Sequence, residues 1–269
     1  MDPVRSGKRS HVIIGTSLAF VIGATIMIGL HETSHAIAGA LLGSHPIQLP
    51  FAVDYTPQLP TDAEIVALLA APAFSLLSGA IGLVVDRLAT PFCDRPFWRM
   101  VWLWTVFTSL QEGFGYLQIT ALLPAGDTAQ AFNLLHAPPS AYVVASVVGW
   151  VCLPITAWAF SAPIRELASS VHDKHDLAVW PWLIGTGALL VLMTGYLMLS
   201  PTNDAATIVA VLAGALSLGV YAPMSMMFRS TRCDAATPPT MPWPPVGGLA
   251  LLATLVLVNV LLTQGWFWL

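Results

Sequence analysis

Long apolar runs alternate with short polar stretches over the whole length of the chain. The runs fall at approximately 11–43, 63–85, 97–123, 140–162, 178–200, 204–228 and 246–268. Each is as long as or longer than the roughly 20 residues a helix needs to cross a bilayer. None shows the alternation in steps of two that would mark strands. The pattern predicts an all-α fold, a polytopic membrane helix bundle of about seven transmembrane helices. The first run, 33 residues or roughly 50 Å as a helix, must tilt or project from a bilayer. It is too long for a signal-peptide core and has no small-residue cleavage site, so it is expected to stay in the mature protein.

Polar residues inside the runs are few, which makes their positions informative. The densest cluster is His31-Glu32-Thr33-Ser34-His35, with apolar sequence on both sides. Two histidines four residues apart lie on one helix face, so both imidazoles can converge on one metal ion. Glu32, next to the first, can reach a water at that metal. Ionisable groups in such surroundings are costly unless paired or coordinated, so this H-E-x-x-H stretch reads as a zinc site. Counted from His11, it lies roughly 30 to 36 Å along the helix, at the far side of the membrane from the amino terminus. Beyond it, Gly39 and Gly43 with Ala36, Ala38 and Ala40 leave a slim surface for a closely packed neighbour helix.

An open catalytic zinc site needs a third protein ligand, and a carboxylate suits it. The third run offers two: Glu112, deep in the run, and Asp127, just past its end. Depth matches Asp127 to His35, whereas the cost of an intramembrane carboxylate gives Glu112 a role as ligand or as a partner behind the ligands. Asp127 opens a short helix-like stretch in which Asn133 and His136 could donate hydrogen bonds to a reaction intermediate. The segment from Ser44 to Asp62, with four prolines and alternating Ile47, Leu49, Phe51 and Val53, predicts an extended loop or strand pair over the mouth of the site. His45 within it is a spare ligand candidate. Asp62-Ala63-Glu64 reads as a helix start, and Pro72 among small residues predicts a kink in the second helix where it packs on the motif helix.

Charge then orients the bundle. Only 9% of residues are charged against 56% hydrophobic, with mean hydropathy +0.75, which excludes a soluble domain. Arg5, Lys8 and Arg9 precede the first run; Arg87, Arg95 and Arg99 lie around the second connection; Arg165 and Lys174 lie around the fourth; Arg229 and Arg232 lie around the sixth. These are all ten basic residues, and the alternate connections hold none. Basic residues near span ends stay in the cytoplasm, so the amino terminus is expected inside and the carboxyl terminus and metal site towards the outer face of a cell membrane. Tryptophans near run ends fit an interfacial belt. Three scattered cysteines indicate neither a disulfide framework nor a thiolate metal site. The later runs hold only isolated polar groups such as Thr194 and Asn259, and Ala235 to Pro245 reads as a linker.

The order of an H-E-x-x-H helix, a small-residue helix with Ala-Ala-Pro, and a run ending in Gly126-Asp127 resembles the site-2-protease family of intramembrane zinc metallopeptidases. It is closer to the reduced bacterial branch that lacks a PDZ domain. The resemblance covers residues 11–150; it rests on His31, Glu32, His35 and Asp127, and less specifically on Pro72 and Gly126. Ser75 stands where many members carry asparagine. The resemblance implies one Zn²⁺ per chain, a catalytic membrane core over 1–162, scaffold helices over 163–269, and hydrolysis of a peptide bond in a membrane-protein substrate with Glu32 handling the proton. It implies no nucleic-acid partner. A zinc-dependent lipid amide or ester hydrolase would use the same residues, and a transporter or assembly factor could reuse the fold.

Overall fold

The computed structural model describes residues 3–123, 126–201, 208, 211–212 and 232–268. Its architecture is a helical bundle: α1 (Pro3–Leu41), α2 (Thr61–Ala89), α3 (Pro96–Ile119), the short α4 (Asp127–Leu134), α5 (Pro139–Leu167), α6 (Val171–Lys174), α7 (Trp180–Leu199) and α8 (Val246–Leu262). A π-turn, His175–Val179, joins α6 to α7 without a break, so Val171–Leu199 is one helical rod. Among the described residues, four helical stretches are long and apolar enough to cross a membrane: Arg9–Leu41, Thr61–Ala89, Pro139–Leu167 and Val171–Leu199. The expected run 204–228 falls almost entirely outside the described residues.

Helix ends differ from the apolar runs in ways local chemistry explains. α1 starts eight residues before His11, because nothing in Pro3 to Ser10 breaks a helix and Pro3 is tolerated in a first turn. Its far end is closed by Gly43 at φ +90, with Ser44 N–H donating to the Gly39 carbonyl (3.1 Å) and Gly43 N–H to the Ala40 carbonyl (3.1 Å). That pair of bonds satisfies carbonyls the helix would otherwise orphan. The expected cap of α2 is corrected: Pro60 stands at the N-cap with no side-chain bond, and Asp62 and Glu64 lie in the first turn, near the positive end of the helix dipole. The last apolar run does not continue as helix to 268. α8 stops at Leu262, Gly265 turns the chain at φ +79, and Trp266–Phe267 becomes a strand.

That strand, β3, completes a three-stranded antiparallel sheet in the order β2-β1-β3, with β1 at His45–Gln48 and β2 at Val53–Thr56. Pro46 faces Tyr55 across β1 and β2, and Gln48 faces Trp266 across β1 and β3. The strand pair expected between Ser44 and Asp62 is therefore present, with a third strand the sequence did not announce. The slim surface at Gly39 receives this hairpin and no helix: a Cβ there would meet Tyr55 Cε1 at 2.3 Å and Pro46 Cγ at 3.3 Å.

α3 is the axis of the bundle and packs against α1, α2 and α5. Close approach depends on missing side chains. A Cβ at Gly149 of α5 would lie 2.3 Å from the Gln118 backbone nitrogen of α3, and one at Gly113 of α3 would lie 2.6 Å from Leu76 of α2. Helices in lipid gain from such van der Waals proximity because hydrocarbon offers no hydrophobic drive between them. The core is centred on Phe20, Trp104, Phe107 and Phe160, with Trp104 edge-on to Phe20 at 4.8 Å.

One end of the bundle gathers the basic residues. Arg9 of α1 forms a bond pair with Asp176 (2.7 and 3.0 Å), Arg99 of α3 pairs with Asp86 of α2, and Arg165 of α5 with Asp234 (2.5 Å). At the same end the linker folds back: Trp243 stacks on His11 at 4.5 Å, and Met241 lies against Gly15. Asp86 and Arg99 are buried, and Trp102 Nε1 also donates to Asp86 (2.9 Å), so this tryptophan serves an ion pair besides any interfacial role. Removing one partner of a buried pair costs about 3–5 kcal/mol, because the other charge stays behind. Asp86→Ala is therefore expected to lower the thermal unfolding midpoint in detergent markedly. Asp86→Ala with Arg99→Leu should lower it less; an equal or larger loss in the double variant would show that the pair is not what holds α2 to α3.

Candidate metal centre

The opposite end of the bundle carries the motif. His31, Glu32 and His35 are all buried on α1. Residues 31 and 35 are one turn apart, and their rings meet edge to face with centroids 5.0 Å apart. Across from them stands Asp127, the first residue of α4. Its position is fixed by short-range packing: Ala129 and Ala131 are fully buried where α4 meets α2 and α3, and Ser146 of α5 accepts from the Ala121 N–H (2.9 Å) just before the turn. One carboxylate oxygen, Asp127 Oδ2, lies 3.2 Å from His31 Nε2 and 3.1 Å from His35 Nε2.

The other nitrogen of each ring is held by α2. His35 Nδ1 donates to the Ala67 carbonyl (2.8 Å), and His31 Nδ1 lies 3.1 Å from Ser75 Oγ. Pro72, buried between these two positions, has no N–H and leaves the Leu68 carbonyl, next to Ala67, without its helix bond. Ser75 is anchored from behind: Ser109 Oγ of α3 donates to its carbonyl (2.7 Å). Tyr116 of α3 stacks on His31, with ring centroids at 4.9 Å and planes 8° apart.

The donor set fits a divalent cation. A carbonyl can only accept, so His35 carries its proton on Nδ1 and a neutral ring presents a lone pair at Nε2. That lone pair faces a carboxylate oxygen at 3.1 Å, an arrangement that is repulsive unless positive charge lies between them. A proton on His35 Nε2 would make that ring an imidazolium beside His31, whereas one cation shared by His31, His35 and Asp127 serves both contacts with neutral rings. Tetrahedral zinc with bonds of about 2.0–2.2 Å sets its ligand atoms about 3.3 Å apart, close to the observed 3.1 and 3.2 Å, and all three ligand atoms fall within 4.8 Å of one another. Nδ1 bonded to a carbonyl or hydroxyl with Nε2 free to coordinate is how metal-bound histidines are ordinarily oriented.

The remaining expected residues separate cleanly. Glu32 lies near enough to His31, His35 and Asp127 to feel their charges, as the residue beside the first ligand should. Glu112 is buried on the Nδ1 side of His31, Oε1 to Nδ1 3.9 Å, behind the ring and away from the shared oxygen. The geometry brings Asp127, and not Glu112, to both Nε2 atoms. Asn133 is exposed and accepts from the Tyr142 hydroxyl (2.6 Å), while His136 is exposed in a left-handed turn at φ 52. Neither contacts the three clustered side chains among the described interactions. His45 is exposed at the start of β1.

Sequence reasoning named Ser75 only as a departure from the asparagine of the resembled family, and missed Tyr116 and Tyr55. Ser75 was legible as a hydroxyl in an otherwise apolar turn, and Tyr116 as the residue one turn beyond Glu112. Tyr55 carried no signal, because its role comes from the hairpin: its hydroxyl donates to the His35 carbonyl (3.3 Å). Burial first, then the charges of Glu32, Asp127 and Glu64, push its pKa up, so it remains a donor at any physiological pH.

Comparison with known protein families, curated proteins and solved structures finds no match for this chain. The case for a metal therefore stands on the geometry. Purified protein is expected to bind about one equivalent of zinc, to lose it in Asp127→Ala and His35→Ala, and to keep it in Glu112→Gln and His136→Ala. Elemental analysis after chelation and reloading checks this; retention by Asp127→Ala would remove that residue from the ligand set.

Proposed function

We propose that this chain is an intramembrane zinc metallopeptidase resembling the site-2-protease family, hydrolysing a peptide bond in or near a transmembrane segment. The observation that supports it most directly is the single oxygen of Asp127 shared by two imidazole nitrogens of an H-E-x-x-H helix, each ring fixed from behind by α2. Zinc bound there would supply a Lewis acid at which water becomes a nucleophile near neutral pH.

The chain's own residues account for the rest of the reaction. A Glu32 carboxylate oxygen takes the proton of the attacking water and returns it to the leaving nitrogen, which needs an acceptor within reach of both. His31 and His35 are prevented from rotating by Ser75 and the Ala67 carbonyl, so their Nε2 lone pairs stay convergent. The Tyr55 hydroxyl lies on the hairpin at the mouth, where a peptide would enter. A substrate helix must unwind locally, since its carbonyls are otherwise bonded internally. Asp127 beside the two histidines at the end opposite the arginines supports a site facing the outer leaflet, in a seven-span topology with the amino terminus in the cytoplasm.

Glu32→Gln is expected to keep the zinc and its affinity while lowering hydrolysis of internally quenched apolar peptides by at least a hundredfold. Absence of zinc from wild type would end the proposal. Cleavage confined to lipid amides or esters would transfer the same chemistry to a lipid substrate. For the topology, a membrane-impermeant maleimide applied to intact cells should label Asp54→Cys and leave Cys93 unlabelled until the cells are opened, both positions being exposed. The reverse pattern would invert the orientation.

A further inference from the structure

The hairpin that the sequence predicts over the mouth of the site makes the contacts of a part fixed in place. Gln48, at the end of β1, is 4% exposed and uses both ends of its amide. Its Nε2 donates to Thr33 Oγ1 (3.1 Å), and its Oε1 accepts from Trp268 Nε1 (3.1 Å). Thr33 is the residue after Glu32, and its hydroxyl in turn donates to the Gly29 carbonyl (2.7 Å). The motif turn, the hairpin that follows it and the distant segment after α8 thus meet at one buried side chain bonded through both its oxygen and its nitrogen. The second strand adds a tie of its own, Tyr55 hydroxyl to the His35 carbonyl, so the hairpin grips the motif turn from both of its strands. β3 holds the first strand from outside: besides its pairing with β1, Trp268 N–H donates to the Pro46 carbonyl (3.0 Å).

We infer that Gln48 is a positioning residue that clamps the β1–β2 hairpin onto the motif turn of α1, with Trp268 of the segment after α8 as its latch. A buried amide bonded at both ends favours one arrangement of its partners, because displacement leaves a donor or acceptor unpaired in a dry place. The place of the Tyr55 hydroxyl at the His35 carbonyl is then set by a side chain that belongs to none of the proposed ligands. Opening the mouth requires breaking the latch, and the hairpin cannot swing as a free flap. The consequence for turnover rests on the metallopeptidase reading; the clamp itself does not.

Two variants and two readouts test it. Gln48→Leu keeps the burial and removes both bonds, while Trp268→Phe removes only the indole donor. In amide hydrogen exchange of purified protein, residues 45–56 are expected to exchange about five- to tenfold faster in either variant, the loss of roughly one hydrogen bond. The double variant should be little faster than Gln48→Leu alone, because both act on one link. Exchange in α3 and the zinc content should stay at wild-type values, which separates a loosened clamp from general unfolding. With a quenched apolar peptide that wild type cleaves, the KM should rise several-fold with kcat changed less than twofold, and Gln48→Asn, too short to span both partners, should not restore it. Wild-type exchange in both variants would overturn the clamp, whatever the enzyme does. A wild type free of zinc would sink the metallopeptidase reading and leave the exchange result standing.

Discussion

Everything at the functional end of this bundle depends on aiming two imidazole lone pairs at one carboxylate oxygen. The motif helix alone cannot do this, since a histidine on a helix can turn about two side-chain bonds and Nδ1 competes with Nε2 for any ligand. α2 removes that freedom by engaging Nδ1 of each ring, once with a backbone carbonyl and once with a hydroxyl. Both partners stand on α2, eight residues or about two helical turns apart, and Ser75 Oγ is a side-chain group that no helix bond occupies. The position of α2 in turn comes from α3, through Ser109 on the Ser75 carbonyl and through the side-chain gap at Gly113. A chain of contacts a few ångströms long thus connects the least polar part of the bundle to its most polar point.

The two ends of the bundle divide their tasks by chemistry. At one, arginine–aspartate pairs tie helix termini together, Arg99–Asp86 buried and Arg9–Asp176 with its arginine partly exposed. At the other, like-charged and lone-pair groups are brought together without a basic side chain of that kind: two histidines and three carboxylates, Glu32, Glu112 and Asp127, lie close to one another. An excess of acceptors in a dry site is what a bound cation requires, and it is a poor design for stability alone.

Much of this was legible in the sequence because it is periodic or charged. Helices α1, α2, α5 and α7 follow from apolar runs, and the clustering of arginine at one end follows from their placement in alternate connections. His31, Glu32 and His35 follow from helical spacing, and the depth at which the third run ends made Asp127 one of two candidates beside Glu112. What escaped has no period. The acceptors of Nδ1 include a main-chain carbonyl, which every residue possesses and no sequence marks. Strand β3 is two aromatic residues after an apolar run, and nothing local separates them from the end of a membrane helix until Gly265 adopts a positive φ. The choice between Asp127 and Glu112 depended on which ring nitrogen each one reaches, a distinction made only by how α3 and α4 pack.

The π-turn at His175–Val179 has a consequence for how the rod Val171–Leu199 is built. An ordinary helix advances about 100° per residue, and a wide turn inserts a residue, so the two halves of the rod are out of phase by about that angle. Asp176 in the wide turn can then meet Arg9 while, further along, Gly185 lies flush against Phe20 on the same partner helix. A straight rod would have to turn one of these contacts towards lipid. The irregularity acts as a phase corrector, letting one rod keep an electrostatic and a steric appointment with α1 whose spacing in the sequence does not match the helical repeat.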